Sequence, residues 1–350
     1  MSTPIRTALL GLGRIAWSLE NDPLRFKPCT HAGSLRALNE KAHRQPPFQL
    51  VAACDPKPGR LADFKRWWGR PGRELQLTTA WQQALTEGPE LVIIAASTGA
   101  HVDLACEAIA AGARSLVVEK PLATNTKDAQ RLLDVARKAR VRVWINFERR
   151  YHAAYRTVFR YLERKTLGPL RMITGRVLTG EPPRGARVGP LLHDAVHWLD
   201  LLLWYSGGPP LARYGRVLRK SARSVEHTAC LGFQFQDHQA FLEAGGRRAH
   251  FEFEMVLDCE RGRIEIGNGG LRVFRTAASR RYKGFRELRP VRVRHAPPGP
   301  WLNLYREVRR ETRRGRPSER DFVREEERIT TRPLDSLHGI RIIEQAYRLS

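Results

Sequence analysis

Thr7-Ala8-Leu9-Leu10-Gly11-Leu12-Gly13-Arg14-Ile15-Ala16 is the stretch on which the fold turns. The apolar run 5–10 reads as a buried parallel strand, broken by two glycines and followed by residues able to open a helix. Gly11 allows a tight turn out of the strand, Gly13 lets the backbone approach a pyrophosphate, and Ala16 lets the helix pack near the strand. Phosphates would sit on free N–H groups at the helix N-terminus, with Gly11, Gly13, Arg14 and Ile15 as the cofactor-binding residues. Such glycine patterns recur by chance, so two features must accompany this one: an acidic residue ending the next strand, and further strand–helix units.

Both are present. Phe48–Cys54 is a second buried strand, and Asp55 ends it, where a carboxylate can accept hydrogen bonds from the adenosine ribose hydroxyls and repel a 2′-phosphate. That favours NAD, while Lys57 and Arg60 lie close enough to tolerate the phosphate of NADP. The spacing from Gly11 exceeds the usual ~20 residues after the motif because residues 17–30 form an insertion broken by Asn21, Asp22, Pro23 and Pro28. It reads as a surface elaboration or as a flap beside the cofactor, with a helix resuming at 31–39. Strands at 75–77, 91–96, 115–118 and 141–147 then alternate with helices, which implies a doubly wound parallel sheet.

Ligands of such sheets bind beyond the carboxyl ends of the strands. Ser97, Thr98 and His101 follow one strand and Glu119-Lys120-Pro121 another, so these residues are assigned to the cofactor side of a site. Lys120 has a second role, since an ammonium at that edge can hold a substrate hydroxyl and stabilise charge as its proton leaves.

Length and composition bound the rest. A chain of 350 residues with 42% apolar side chains implies two domains with real cores. No apolar run approaches the roughly 18 residues needed to span a bilayer, and Met1-Ser2-Thr3-Pro4 leads straight into a strand, so a cytoplasmic protein without membrane contact is expected. The five cysteines, Cys29, Cys54, Cys106, Cys230 and Cys259, are scattered and never spaced as CxxC, as expected of reduced, mostly buried thiols. The net charge of +25 is spread along the chain, thickest in 212–223, 271–294 and 306–332, where arginines alternate with apolar residues or glutamates as on solvated faces. No basic tail or stacking-aromatic motif appears, so no nucleic-acid partner is expected, while the field suits an anionic substrate such as a nucleotide sugar.

Gly11-Leu12-Gly13-Arg14-Ile15-Ala16, His31-Ala32, Asp55, His101 and Glu119-Lys120-Pro121-Leu122-Ala123 together resemble the Gfo/Idh/MocA family of oxidoreductases. In that family the lysine of Glu-Lys-Pro is an active-site residue, and Lys120 matches it. Ser97 departs from the pattern, standing where the family commonly has proline. Phe147-Glu148-Arg149-Arg150-Tyr151 resembles the segment leaving the last sheet strand, with Ala153 in place of a usual proline. Arg149, Arg150 and Tyr151 are assigned to the substrate side, an arginine there being able to clamp a hydroxyl or phosphate.

In 189–200, Gly-Pro-Leu-Leu-His-Asp-Ala-Val-His-Trp-Leu-Asp, helical spacing puts His193, His197 and Asp200 on one face. An imidazole at His197 can take a hydroxyl proton while hydride departs to nicotinamide. The stretch resembles the family's second signature, Asp-x-x-x-His-x-x-Asp. His197 matches the family's catalytic histidine and Asp200 its later acid, which is given to substrate, but His193 occupies the usual aspartate position and Asp194 sits one residue on. His193 and Asp194 are therefore candidate partners of His197 in binding or proton relay.

Beyond His227 the alternation in 230–236, 238–244, 251–259 and 263–266 reads as strands of an antiparallel sheet. The family commonly oligomerises through this sheet, so a homodimer or homotetramer is implied. The fold expected is α/β: an N-terminal Rossmann doubly wound parallel sheet (1–148) plus a C-terminal α+β domain with a large, mainly antiparallel sheet (149–350), whose terminal helix is free to pack back on the first domain. The function expected is NAD(P)-dependent hydride transfer at a secondary alcohol of a sugar, cyclitol or nucleotide sugar, with no metal. Two other readings were weighed: a non-catalytic dinucleotide-binding regulator, and a zinc metallohydrolase using His193-Asp194-Ala195-Val196-His197, which would need a third ligand and a glutamate.

Overall fold

The computed structural model describes residues 3–42, 45–69, 75–183, 185–186, 188–221, 224–293, 299–318, 322 and 329–348; the basic stretches 212–223, 271–294 and 306–332 and the loop before Gly189 lie partly outside them. The chain divides into two compact units, Met1–Tyr151 with Gly299–Leu337, and His152–Pro298 with His338–Ser350.

The first unit is a six-stranded parallel sheet. Its strands are β1 (Ile5–Leu10), β2 (Phe48–Cys54), β3 (Gln76–Thr78), β4 (Leu91–Ile94), β5 (Ser115–Val118) and β6 (Arg142–Ile145), in the order β3-β2-β1-β4-β5-β6. The order reverses between β1 and β4, and ligands bind at the strand ends of such a switch point. Helices α1 (His31–Lys41), α2 (Pro58–Trp68), α3 (Trp81–Thr86), α4 (His101–Ala110) and α5 (Thr126–Ala139) connect the strands. All four residues of β4 and of β5 are buried, as continuous apolar runs covered on both faces require.

The glycine turn does not open directly into a helix. Residues 17–30 bulge out with one 3-10 turn, Ser18–Asn21, and α1 starts at His31, capped by Thr30. The chain re-enters where it left: the N–H groups of His31 and Ala32 donate to the carbonyls of Ile15 and Ala16, at 3.2 and 2.9 Å. The insertion is thus a loop let into the first turn of one helix, and a buried bolt holds it. Glu20 accepts from the Cys29 N–H (2.7 Å) and the Thr30 hydroxyl (2.8 Å), filling the space that a side chain at Gly33 would need.

The division of the chain differs from the sequence expectation, because residues 299–337 join the first unit. Helix α8 (Pro300–Arg313) buries Trp301, Leu304, Tyr305 and Val308 with Leu35 and Phe48 in one core. Its Glu307 accepts from the Trp144 indole (3.0 Å), the Tyr151 hydroxyl (2.9 Å) and the Thr330 N–H (3.0 Å). A basic amphipathic helix with a buried glutamate on its apolar side is shaped for this docking.

The second unit contains α6 (Ala153–Glu163), α7 (Val196–Ser206) and an eight-stranded sheet. The strands are β7 (Leu170–Leu178), β8 (Ala212–Arg219), β9 (Glu226–Gln234), β10 (Gln239–Gly245), β11 (Glu252–Cys259), β12 (Gly262–Gly267), β13 (Gly270–Ala278) and β14 (Arg286–Val291), ordered β14-β13-β12-β11-β7-β10-β9-β8. All neighbours are antiparallel except β7 and β10. The two basic stretches read as solvated faces contain β8, β13 and β14. Helix α9 (Pro333–Ala346) ends the chain, its residues through Leu337 counted with the first unit and the rest with the second.

Among the described residues no helix is long and apolar enough to cross a membrane. The five cysteines are free thiols; Cys29 and Cys54 are buried, but Cys230 is exposed, contrary to the expected burial.

Helix α7 meets the sheet at Gly175, where a Cβ would stand 2.1 Å from the Trp198 indole nitrogen and 2.4 Å from the Glu254 carbonyl that the indole donates to. Neither the ring nor the backbone of β11 can yield cheaply. Gly175→Ala is therefore expected to destabilise the second unit by about 1–3 kcal/mol, measured by urea unfolding; a stability equal to the parent's would show that α7 is not seated against this strand.

Candidate active site

The turn after β1 is built to meet an anion. Gly11 has φ +92, and a side chain there would strike the Ala95 carbonyl at 2.5 Å, so only glycine fits between the ends of β1 and β4. A Cβ on Gly13 would meet nothing within 4 Å, leaving open space over the turn. Among the described residues the backbone N–H groups of Gly13, Arg14 and Ile15 donate to no protein acceptor. Unsatisfied, convergent N–H groups beside open space fit a pyrophosphate.

Asp55 ends β2 as the sequence places it. Its carboxylate is 1% exposed and accepts from the Leu12 N–H (2.9 Å), the Lys57 N–H (2.9 Å) and the Arg60 guanidinium (3.2 Å). It ties the glycine turn to the start of α2. Lys57 and Arg60 are both exposed at this strand end, Arg60 while paired with Asp55.

Glu119 and His101, the two other residues that the sequence places on the cofactor side, are buried next to Lys120 and its turn. One Glu119 oxygen accepts from the His31 imidazole (2.9 Å) and the Asn146 amide, and the other from the Lys120 N–H (3.2 Å). A carboxylate can only accept, so His31 donates through Nε2; with the ring neutral, Nδ1 accepts from the Tyr305 hydroxyl at 2.6 Å. Burial pushes the Glu119 carboxyl up, but His31, Asn146 and Lys120 outweigh it and hold it below the ordinary carboxylate value. His101 lies with its ring nitrogens 2.9 Å from the Pro121 carbonyl and 3.1 Å from the Ala96 carbonyl, between the loop after β4 and the Lys120-Pro121 turn; a neutral ring donates to one of the two. Burial dominates there and keeps this imidazole below its ordinary pKa. Lys120 itself is half-buried, and Ser97 and Thr98 lie on the exposed and half-exposed 3-10 turn after β4.

The substrate assignments divide. Arg150 is 2% exposed and pairs with Asp335 (2.8 Å) while donating to the Thr330 carbonyl (3.1 Å). Tyr151 is buried on Glu307 and Thr331, and burial together with that carboxylate raises its phenol well above the ordinary value. Both are buried and held by protein partners. Arg149, half-buried and paired with Glu148 at 3.0 Å, is the most open of the three.

In the second unit the stretch 191–200 is not one regular helix. Leu191–Ala195 forms a π-helical turn that passes into α7. His193, 65% exposed, pairs with Asp194 through Nδ1 at 3.0 Å. His197 and Asp200 follow on α7 and are buried. Sequence spacing did not reveal the π turn; its only trace is Gly189-Pro190 before an apolar pair. Among the described residues no group of three or more His, Cys, Asp or Glu side chains is placed to hold a metal ion.

The Glu119 network sets a testable sign. A carboxyl held below its unfolded value stabilises the fold above pH ~4.5, and that contribution is lost as pH falls through its lower folded value. Glu119→Gln should cost about 1–3 kcal/mol at pH 7, a difference that shrinks on acidification below pH 4.5 in urea unfolding; a gap independent of pH would contradict the network.

Comparison with known proteins follows the same lines. The family models for "Oxidoreductase family, NAD-binding Rossmann fold" and "GFO/IDH/MocA C-terminal domain" match residues 29–147 and 155–265, well over half of the chain. Inositol 2-dehydrogenase of Gluconacetobacter diazotrophicus is 28% identical over 182 residues, 49% of this chain and 50% of that protein. Myo-inositol 2-dehydrogenase of Thermotoga maritima is 26% identical over 211 residues, 58% and 55% of the two. The chain thus matches about half the length of these curated relatives. Among solved structures, the WlbA dehydrogenase from Bordetella pertussis, in complex with NADH and UDP-GlcNAcA, superposes with a TM-score of 0.72 at 21% identity, covering 99% of this chain and 96% of that one, and so shares its fold. The chain belongs to the Gfo/Idh/MocA family of oxidoreductases, with an NAD-binding Rossmann domain in its first unit.

Proposed function

We propose that the protein transfers hydride between a secondary alcohol of a sugar, cyclitol or nucleotide sugar and nicotinamide, with NAD as cofactor and NADP accommodated beside Arg60. The observation that carries this is Lys120: a half-buried lysine at a strand end whose own N–H is held by a buried carboxylate and whose following turn lies against His101. So much fixed polar structure behind one lysine fits a group that must present its ammonium in a set direction.

The nicotinamide, when bound, accepts or returns the hydride. Residues Gly13 to Ile15 bind the pyrophosphate through their N–H groups, and Asp55 contributes by holding that turn. Lys120 donates a hydrogen bond to the reacting oxygen and stabilises the negative charge that builds on it. His197 takes the hydroxyl proton during oxidation and returns it during reduction. His193, its imidazole steadied by Asp194, binds a neighbouring hydroxyl or passes the proton on to water. Arg149 and Asp200 are assigned to substrate, Arg149 directly and Asp200 through the helix face that it shares with His197. The relatives named inositol 2-dehydrogenase and the neighbour bound to UDP-GlcNAcA support a polyol or nucleotide-sugar substrate for this chain. A homodimer or homotetramer formed through the outer face of the large sheet, where Tyr214 and Phe241 are exposed, completes the reading.

Single-turnover reduction of bound NAD by a panel of sugars, cyclitols and nucleotide sugars tests the proposal. Turnover of at least one class is expected, and absorbance at the reduced-nicotinamide band staying flat with all of them would leave a dinucleotide-binding regulator instead. Lys120→Met should lower kcat by about 10²–10³ with NAD affinity kept. His193→Ala should cost about tenfold or more; near-parental rates would remove His193 from the mechanism.

A further inference from the structure

The π turn that carries His193 is fastened from behind by a carboxylate that the proposed chemistry does not use. Glu226, the first residue of β9, is 1% exposed. One of its oxygens accepts from the Leu191 N–H at 2.8 Å and the other from the Tyr347 hydroxyl at 2.9 Å. The carboxylate fills the space in front of Gly189, where a Cβ would stand 2.1 Å from Oε2. Arg219, the register partner of Glu226 on β8, lays its guanidinium 4.7 Å from the centre of the Tyr347 ring. On the far side, Gly245 has φ +79 and a Cβ there would meet Pro190 at 3.0 Å, so β10 also abuts the entry to the turn. Burial raises the Glu226 carboxyl above its ordinary value, so this arrangement costs stability that a surface residue would not.

A π turn is a poor resting state for a chain. Its i→i+5 bonds are rarer and less favourable than those of an α-helix, and the first N–H groups of any helix lack partners within it. Should the turn relax to α geometry, residues before it would rotate by about 100° relative to those after it, because the α-helix turns further per residue than the wider π turn and the same five residues gain winding. The relation of His193 to His197 would change with it.

We propose that Glu226, seated by Tyr347 and by the missing side chain of Gly189, is a positioning residue that holds the Leu191–Ala195 π turn and through it sets His193 against His197. The inference rests on the catalytic assignment of His197 given above. It adds a requirement of the second unit alone: the turn keeps its register only while the Leu191 N–H has this acceptor.

Amide hydrogen exchange of residues 191–197 in the full-length protein, together with separate kcat and KM values on the best substrate of the panel, tests it. Tyr347→Phe removes one hydroxyl at the end of α9, and Gly189→Ala displaces the carboxylate. Both should speed exchange across the turn by about tenfold and lower kcat by a similar factor, leaving NAD affinity unchanged. Glu226→Gln keeps an acceptor oxygen and should fall between these variants and Glu226→Ala. Unchanged protection of the turn in Tyr347→Phe and Gly189→Ala would overturn the proposal, and so would faster exchange with parental kcat. If Gly189→Ala fails to fold, Tyr347→Phe carries the decision. If the parent turns over no substrate, the catalytic reading fails by itself, and exchange alone then decides whether Glu226 holds the turn.

Discussion

A buried carboxylate that must find donors organises the first unit. Removing an ionised group from water is tolerable only when it is fully hydrogen-bonded, and Glu119 meets that demand by drawing on three parts of the chain. His31 comes from the helix that restarts after the insertion, Asn146 from the end of β6, and the third donor is the amide of Lys120. Tyr305 extends the network to α8, a helix that lies far along the sequence. The insertion, the returning segment and the lysine turn are thereby locked to one group. A change in any of them is felt at Lys120.

The same logic explains why the sheet and its order were legible in the sequence while several site roles were not. Apolar runs bounded by glycine and polar residues marked the strands of the first unit, since burial on both faces leaves no other pattern for 91–94 or 115–118. Position at a strand end marked Asp55, His101, Glu119, Arg150 and Tyr151 as near a ligand. It could not tell which of them face solvent, because their partners (Leu12, Pro121, His31, Asp335, Glu307) are set by long-range packing. A buried charged residue and a catalytic one look alike until the donors around them are seen.

Two further features escaped the sequence for related reasons. Strands β8, β13 and β14 carry arginine at every third position, which breaks the two-residue alternation of a strand and reads equally well as a solvated face. The π turn at Leu191–Ala195 has its Leu191 N–H on the Glu226 carboxylate 35 residues away, a partner that no window of helical periodicity contains. In both cases the local signal was present and its meaning was decided elsewhere in the chain.

The proposed hydride transfer requires Lys120 and His197 to act on one hydroxyl, the ammonium on its oxygen and the imidazole on its proton. A double-mutant cycle measures this directly, comparing single-turnover hydride transfer in Lys120→Met, His197→Asn and the combined variant. Two groups serving one transition state are expected to be strongly non-additive, the double variant being little slower than the worse single one. Losses that multiply independently would contradict the account.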